Sequence, residues 1–200
     1  MNKNSPPIRL FRSIDAERKN YKKDSVILQI EKGKTDICVI EKGLAYLTAL
    51  NDDGEKNILD YYEPGDIFGS VFFPYSHSDL YYVIAKKDCA VYHCTYEKLT
   101  SSYGNDATDQ TKLINRMIVL SISRKQVHLD ILSQRTIRNK LMTYFRHIAE
   151  NTSSKEIVLP ISLSDLADYL SVDRSAMMRE MKKMNSDGLI QSKGKKIVLP

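Results

Sequence analysis

Ile161-Ser162-Leu163-Ser164-Asp165-Leu166-Ala167-Asp168-Tyr169-Leu170-Ser171-Val172-Asp173-Arg174-Ser175-Ala176-Met177-Met178-Arg179-Glu180-Met181-Lys182-Lys183-Met184 is the run on which the reading of this 200-residue chain turns. Ser162 stands where a helix start needs a side-chain acceptor. Asp165 follows three residues later, a capping-box-like pair with Asp in place of the usual Glu. The pattern predicts a helix from Leu163 to about Leu170, with Leu166, Ala167 and Leu170 turned inward. Ser171-Val172-Asp173 then makes a tight turn, and Asp173 caps a second helix. There Met177, Met181 and Met184 recur at i, i+4 and i+7 as one buried stripe, while Arg174, Ser175, Met178, Arg179 and Lys182 occupy the other side.

That outer side has the composition of a major-groove reader. Arginine can donate two hydrogen bonds to the O6 and N7 of guanine, which makes Arg174 and Arg179 the candidate base readers. Ser162, Ser175, Lys182 and Lys183 are candidate phosphate or auxiliary contacts, which set register without specifying sequence. Beyond the helix, Leu189-Ile190-Gln191-Ser192 and Ile197-Val198-Leu199 are expected to pair as strands around Lys193-Gly194-Lys195-Lys196. The two strands form a wing, and Lys193 and Lys195 at its tip can meet the phosphate backbone of duplex DNA. Capped helix, short turn, basic helix and wing together predict a winged helix-turn-helix over residues 135–200.

Charge is distributed accordingly. Residues 1–134 carry 18 Lys+Arg and 18 Asp+Glu, and residues 135–200 carry 12 and 7, so the whole net excess of +5 lies in the last third. A polyanion is steered to that end.

Upstream, the period of the pattern changes twice. From Asp106 to Ser133 there is no Gly or Pro, and Leu113, Met117, Leu120, Val127 and Ile131 recur with a flanking row of Ile114, Ile118, Leu129 and Leu132. These spacings predict a long helix that pairs with a copy of itself, its seam interrupted by Arg124. Arg138–Glu150 reads as another helix, and Glu156–Pro160 as a short strand stopped by proline. Between Ser25 and Thr95 lie short apolar or alternating runs: Val26–Ile30, Ile37–Ile40, Ala45–Leu50, Leu80–Ala85 and Cys89–Tyr92. Turn signals such as Asn51-Asp52-Asp53-Gly54 and Glu63-Pro64-Gly65-Asp66 separate them. Close strands without intervening helices predict an antiparallel sandwich or barrel over residues 1–105. The fold class is thus α+β: a cupin-like β-roll, a dimerisation helix over 106–134, and the winged helix-turn-helix.

The residues also bound the chemistry. Cys38, Cys89 and Cys94 are an odd set with no CxxC spacing, which argues against a disulfide framework or a structural zinc site. Cys89 and Cys94, five positions apart in a strand, are expected on opposite faces. His77, His93, His128 and His147 form no HxH or HxxxH pair, and neither a Gly-rich phosphate loop nor an HExxH motif is present. No catalytic residue or metal ligand is expected, and the chain does not read as an enzyme. No apolar run approaches the ~18 residues that span a bilayer. The N-terminal residues do not read as a secretory signal, so the expected compartment is the cytoplasm.

The run from Ile161 to Arg174, with Leu189-Ile190-Gln191-Ser192-Lys193-Gly194-Lys195, resembles the DNA-binding domain of the Crp/Fnr regulators. Tyr62-Glu63-Pro64-Gly65-Asp66-Ile67-Phe68-Gly69 resembles their β-roll. The resemblance implies a homodimer, a central helix linking sensor to reader, and a two-fold symmetric duplex site. It places Arg174, Ser175 and Arg179 at base-reading positions, with Ser175 where many members carry a glutamate that accepts from cytosine. RNA polymerase is an implied partner if the protein is an activator.

In the sensor, cyclic-nucleotide binders of the family hold the cyclic phosphate with an Arg-Ser pair. Here Asp79 and Leu80 fall at about those positions, and Asp79 would repel a phosphate, so the expected effector is not cyclic AMP. No cysteine precedes Cys38, which disfavours an iron–sulfur cluster. Phe68, Phe72, Phe73, Tyr75, His77 and Tyr82, with Met117, Leu120 and Arg124 from the long helix, are the candidate pocket for a small-molecule effector. A β-roll filled by its own side chains is the alternative, and no cofactor is expected. A haem held by His77 is a third reading, since a neutral imidazole serves as an axial ligand.

Overall fold

The computed structural model describes residues 5–50, 56–72, 80–101 and 107–200. The chain divides into two compact units, Met1–Ile122 and Ser123–Pro200. The boundary falls inside the long helix, whereas the sequence reading sets that helix apart as a segment of its own.

The first unit opens with helix α1 (Pro6–Ser13), whose prolines occupy the first helical positions, where a missing N–H costs nothing. Strands β1 (Glu17–Tyr21), β2 (Val26–Gln29), β3 (Asp36–Lys42), β4 (Ala45–Leu50), β5 (Lys56–Tyr62) and β6 (Ile67–Phe68) follow. After a 3-10 turn at Ser70–Phe72 come β7 (Leu80–Ala85), β8 (Cys89–Thr95), helix α2 (Tyr96–Ser101) and helix α3 (Ala107–Leu132). The strands form two antiparallel sheets, ordered β1-β8-β3-β6 and β2-β7-β4-β5.

In the first sheet β3 and β8 are buried on both faces, which is why they read as continuous apolar runs, whereas β1 is exposed. Cys38, Ile40, Phe68, Cys89 and Val91 pack against Ala45, Leu47, Tyr62 and Val83 of the second sheet. Ile37, Val39, Tyr92 and Cys94 form a second core with Ile8 and Phe11 of α1, Leu99 of α2 and Met117 of α3. Cys89 and Cys94 therefore lie on opposite faces, as their spacing predicts.

Gly69 opens the turn after β6. A Cβ there would lie 2.0 Å from the Asp36 carbonyl oxygen and 2.9 Å from Ile37 Cα, so backbone passes against backbone and no side chain fits. At the other end of the sheet, Glu41 is bound by Arg12, by Arg18 at 2.7 Å and by the Tyr92 hydroxyl at 3.3 Å, fastening α1 and β1 to β3.

The long helix forms as expected, although Asp106 lies outside the described residues. Its faces differ from the expected assignment. Met117 and Ile131, read as seam residues, are 2% and 0% exposed inside their own units. The outward apolar residues are instead Ile118, Ile122 and Leu129, 37%, 61% and 61% exposed, with Val119 and Leu120 beside them. With Lys125 they follow the 4-3-4 spacing of a heptad seam. Leu120, also read as a seam residue, is exposed, so the expected seam is kept in part, whereas Met117 and Ile131 belong to the side that packs within the units.

The second unit holds the end of α3, then α4 (Ile137–Thr152), β9 (Glu156–Val158), α5 (Leu163–Tyr169), α6 (Arg174–Ser186), β10 (Gln191–Lys193) and β11 (Lys196–Val198). The sheet order is β10-β11-β9, with Ile157 opposite Ile197. The wing thus gains the strand at Glu156–Val158 as a third member. Among the described residues no helix is long and apolar enough to cross a membrane.

Candidate nucleic-acid interface

Helix α6 is held from three sides. At its start, Asp173 Oδ1 accepts from the Ala176 N–H at 2.7 Å, one of the donors a helix N-terminus leaves over. Beneath it, Met177, Met181 and Met184 are buried. Along its flank, Arg138 of α4 donates from Nε to Glu180 at 2.5 Å and pairs through Nη2 with Asp187 at 2.8 Å. This last arrangement matters for charge, because it turns the two carboxylates of the α6 region onto a cation of α4.

What remains outward on α6 is Arg174, Ser175, Met178, Arg179, Lys182 and Lys183, all exposed. Among the described residues, none of the four cations Arg174, Arg179, Lys182 and Lys183 has an ion-pair partner for its side-chain charge. Two guanidinium groups and two ammonium groups on one face, with no carboxylate, attract an anion and offer donors only.

The helix before it is set with equal care. Ser162 Oγ accepts from the Asp165 N–H at 3.1 Å and donates to the Asp165 carboxylate at 2.5 Å, the cap expected from the sequence. Its hydroxyl is thereby engaged within the protein, where the sequence reading had offered it to a phosphate. The turn to α6 passes through Ser171 at φ 52°, and Lys140 Nζ of α4 donates to the Leu170 carbonyl at 2.9 Å. His128, on the α3 segment of this unit, stacks on Tyr169 with ring centroids 4.0 Å apart and lies 2.9 Å from its carbonyl oxygen.

The wing is fixed to α6 by a residue outside the sequence-predicted site. Asn185 donates to Ser192 Oγ at 2.6 Å and accepts from the Ser192 N–H at 2.8 Å. At the wing tip Lys193 is exposed, whereas Lys195 reaches back to donate to the Pro160 carbonyl at 3.0 Å and Lys196 pairs with Glu156 at 2.5 Å. Of the expected wing contacts, Lys193 is the one without an internal commitment among the described residues.

In the first unit the described candidate effector residues lie on separate elements. Phe68 is 1% exposed in the inter-sheet core, stacked on Tyr62 at 4.9 Å. Tyr82 lies on β7 opposite Thr48, Leu120 is exposed, and Arg124 belongs to the second unit. Phe73, Tyr75 and His77 lie outside the described residues. Among the described candidates Phe72 and Met117 meet, in an apolar cavity of about 160 Å³ completed by Ile37, Val71, Tyr96, Leu99, Ile114 and Ile118. Inside the sandwich, His93 lies 3.1 Å from Cys38 Sγ through Nδ1 and 2.9 Å from the Tyr21 hydroxyl through Nε2. Burial, with Lys19 nearby, lowers this imidazole to about 4, and burial pushes the Cys94 thiol up to about 12. Among the described residues no group of three or more His, Cys, Asp or Glu could hold a metal ion.

Comparison with known proteins places both units. Residues 18–105 match the model of the cyclic nucleotide-binding domain, and residues 139–200 match that of the Crp-like helix-turn-helix domain. The nitrogen fixation regulation protein FixK of Bradyrhizobium diazoefficiens is 24% identical over 181 residues, covering 86% of this chain and 73% of that protein. Among solved structures, FixK2 of Bradyrhizobium japonicum is 21% identical with a TM-score of 0.70, covering 92% of each chain. A cyclic nucleotide-binding domain containing protein of Listeria monocytogenes EGD-e is 17% identical with a TM-score of 0.75, covering 95% of each. With a cyclic nucleotide-binding-type β-sheet domain followed by a Crp-like helix-turn-helix, the chain belongs to the Crp/Fnr family of transcription regulators.

Proposed function

We propose that the protein is a homodimeric regulator that reads a two-fold symmetric duplex site with α6. Arg174, Ser175 and Arg179 meet base edges, and Lys182, Lys183 and Lys193 lie along phosphates. Lys195 and Ser162 act there as supports of the wing and of α5. The observation that carries this reading is the outward face of α6, where four cations stand without carboxylates because Arg138 holds Glu180 and Asp187. The exposed heptad row Ile118, Ile122 and Leu129 supports self-association through α3. A dimer presents two reading helices to half-sites about 34 Å apart on one side of the duplex.

The effector in this reading is an uncharged or weakly polar small molecule rather than cyclic AMP. Two features support it: Asp79-Leu80 stands where the family's phosphate-holding Arg-Ser is expected, and the cavity at Phe72 and Met117 is apolar.

Selection of bound duplexes from a random pool tests the proposal, with purified protein at ~150 mM salt, where non-specific binding is weak. The expected result is one palindromic motif. Enrichment of a single, non-repeated half-site would contradict the dimer. Failure to enrich any motif, with or without cell extract as a source of effector, would contradict the specific reader.

A further inference from the structure

Resting on that reading of α6, we propose that Met178 is a further specificity-determining residue, which recognises the C5-methyl group of a thymine in the major groove. Met178 is 41% exposed, whereas Met177, Met181 and Met184 of the same helix are 0%, 3% and 0% exposed. It is thus no part of the methionine stripe that holds the helix down. It sits one turn after Arg174 and one turn before Lys182, within the cationic face rather than at its rim.

The hydrogen-bonding inventory of that face gives the thioether its role. Arg174, Arg179, Lys182 and Lys183 only donate, and they can address the acceptors O6 and N7 of guanine or O4 of thymine. Glu180 and Asp187 are held by Arg138, and Asp173 is spent on the Ala176 N–H. The Ser175 hydroxyl can also accept, but the rest of the face offers donors, and donors distinguish poorly between one carbonyl acceptor and another. The base feature that can be read without a hydrogen bond is the thymine methyl, and Met178 is the exposed large apolar side chain among the described residues of α6. An unbranched, polarisable side chain adapts its rotamers to such a contact.

The experiment replaces each thymine of the selected motif by uracil, which deletes the methyl and leaves pairing intact. Wild type is expected to lose affinity about fourfold per half-site at one position, the value of one buried methyl group. Met178→Ala is expected to bind the thymine duplex more weakly by a similar factor and to be indifferent to uracil there. Arg179→Ala, weaker overall, is expected to retain the uracil effect. A wild type that binds its motif tightly yet ignores every uracil, or a Met178→Ala protein with the wild-type uracil profile, overturns the assignment of Met178 and leaves the reading helix intact. A motif without thymine overturns it as well. A wild type that enriches no motif overturns the reading of α6 and this inference with it.

Discussion

Arg179 and Lys193 differ in what their loss removes. A guanidinium at a base edge supplies discrimination, so Arg179→Ala should weaken specific binding by ~1–3 kcal/mol and relax preference at one position. Competition between matched and singly mismatched duplexes measures this. An ammonium along the backbone supplies counterion release, so Lys193→Ala should weaken all duplexes alike and lower the slope of log K against log salt by about one. In the sensor, burial holds the His93 imidazole down to about 4 against an ordinary 6.5, so the folded state favours the neutral ring. The stability this contributes is complete above about pH 6.5 and is lost as pH falls toward 4. His93→Gln should therefore flatten the decline of Tm across that window, an effect on the order of 1–2 kcal/mol after allowing for the partial enclosure of the ring. A mutant whose Tm falls as steeply as wild type would remove His93 as the cause.

At the level of elements, the turn after β6 is the tightest constraint. Gly69→Ala places a methyl against the Asp36 carbonyl and should cost upwards of ~2 kcal/mol, read as a shift of the denaturant midpoint. An unchanged midpoint would mean that β3 and the turn separate freely. Some elements were legible because local chemistry decides them. The Ser162 and Asp173 caps and the stripe of Met177, Met181 and Met184 define α5 and α6 without reference to anything distant. Strand β1, Glu17-Arg18-Lys19-Asn20-Tyr21, has no alternation to read and exists through its pairing with β8. Helix α1 is eight residues long and is held by the core it covers, and β5 is half polar and held by β4. The candidate site was legible in its outward residues but not in its supports. Arg138 and Glu180 are 42 positions apart, and Asn185 grips Ser192 by a side chain that no periodicity reports.

For the whole molecule, assembly and specificity are separable. Ile122 lies in the exposed row of α3, and Ile122→Glu should convert a particle of twice 22.9 kDa into one of 22.9 kDa by light scattering. An unaltered dimer would place the interface elsewhere. Each protomer of that monomeric variant keeps its reading helix, so it should retain half-site preference with reduced affinity. The measurement that tests the central claim most directly is the random-duplex selection repeated with Arg174→Ala/Arg179→Ala beside wild type. The account predicts that wild type enriches one palindromic motif, and that the double variant loses the motif while its salt-dependent binding to mixed duplex persists. Enrichment of the same motif by the double variant would contradict the claim that the outer face of α6 reads the bases.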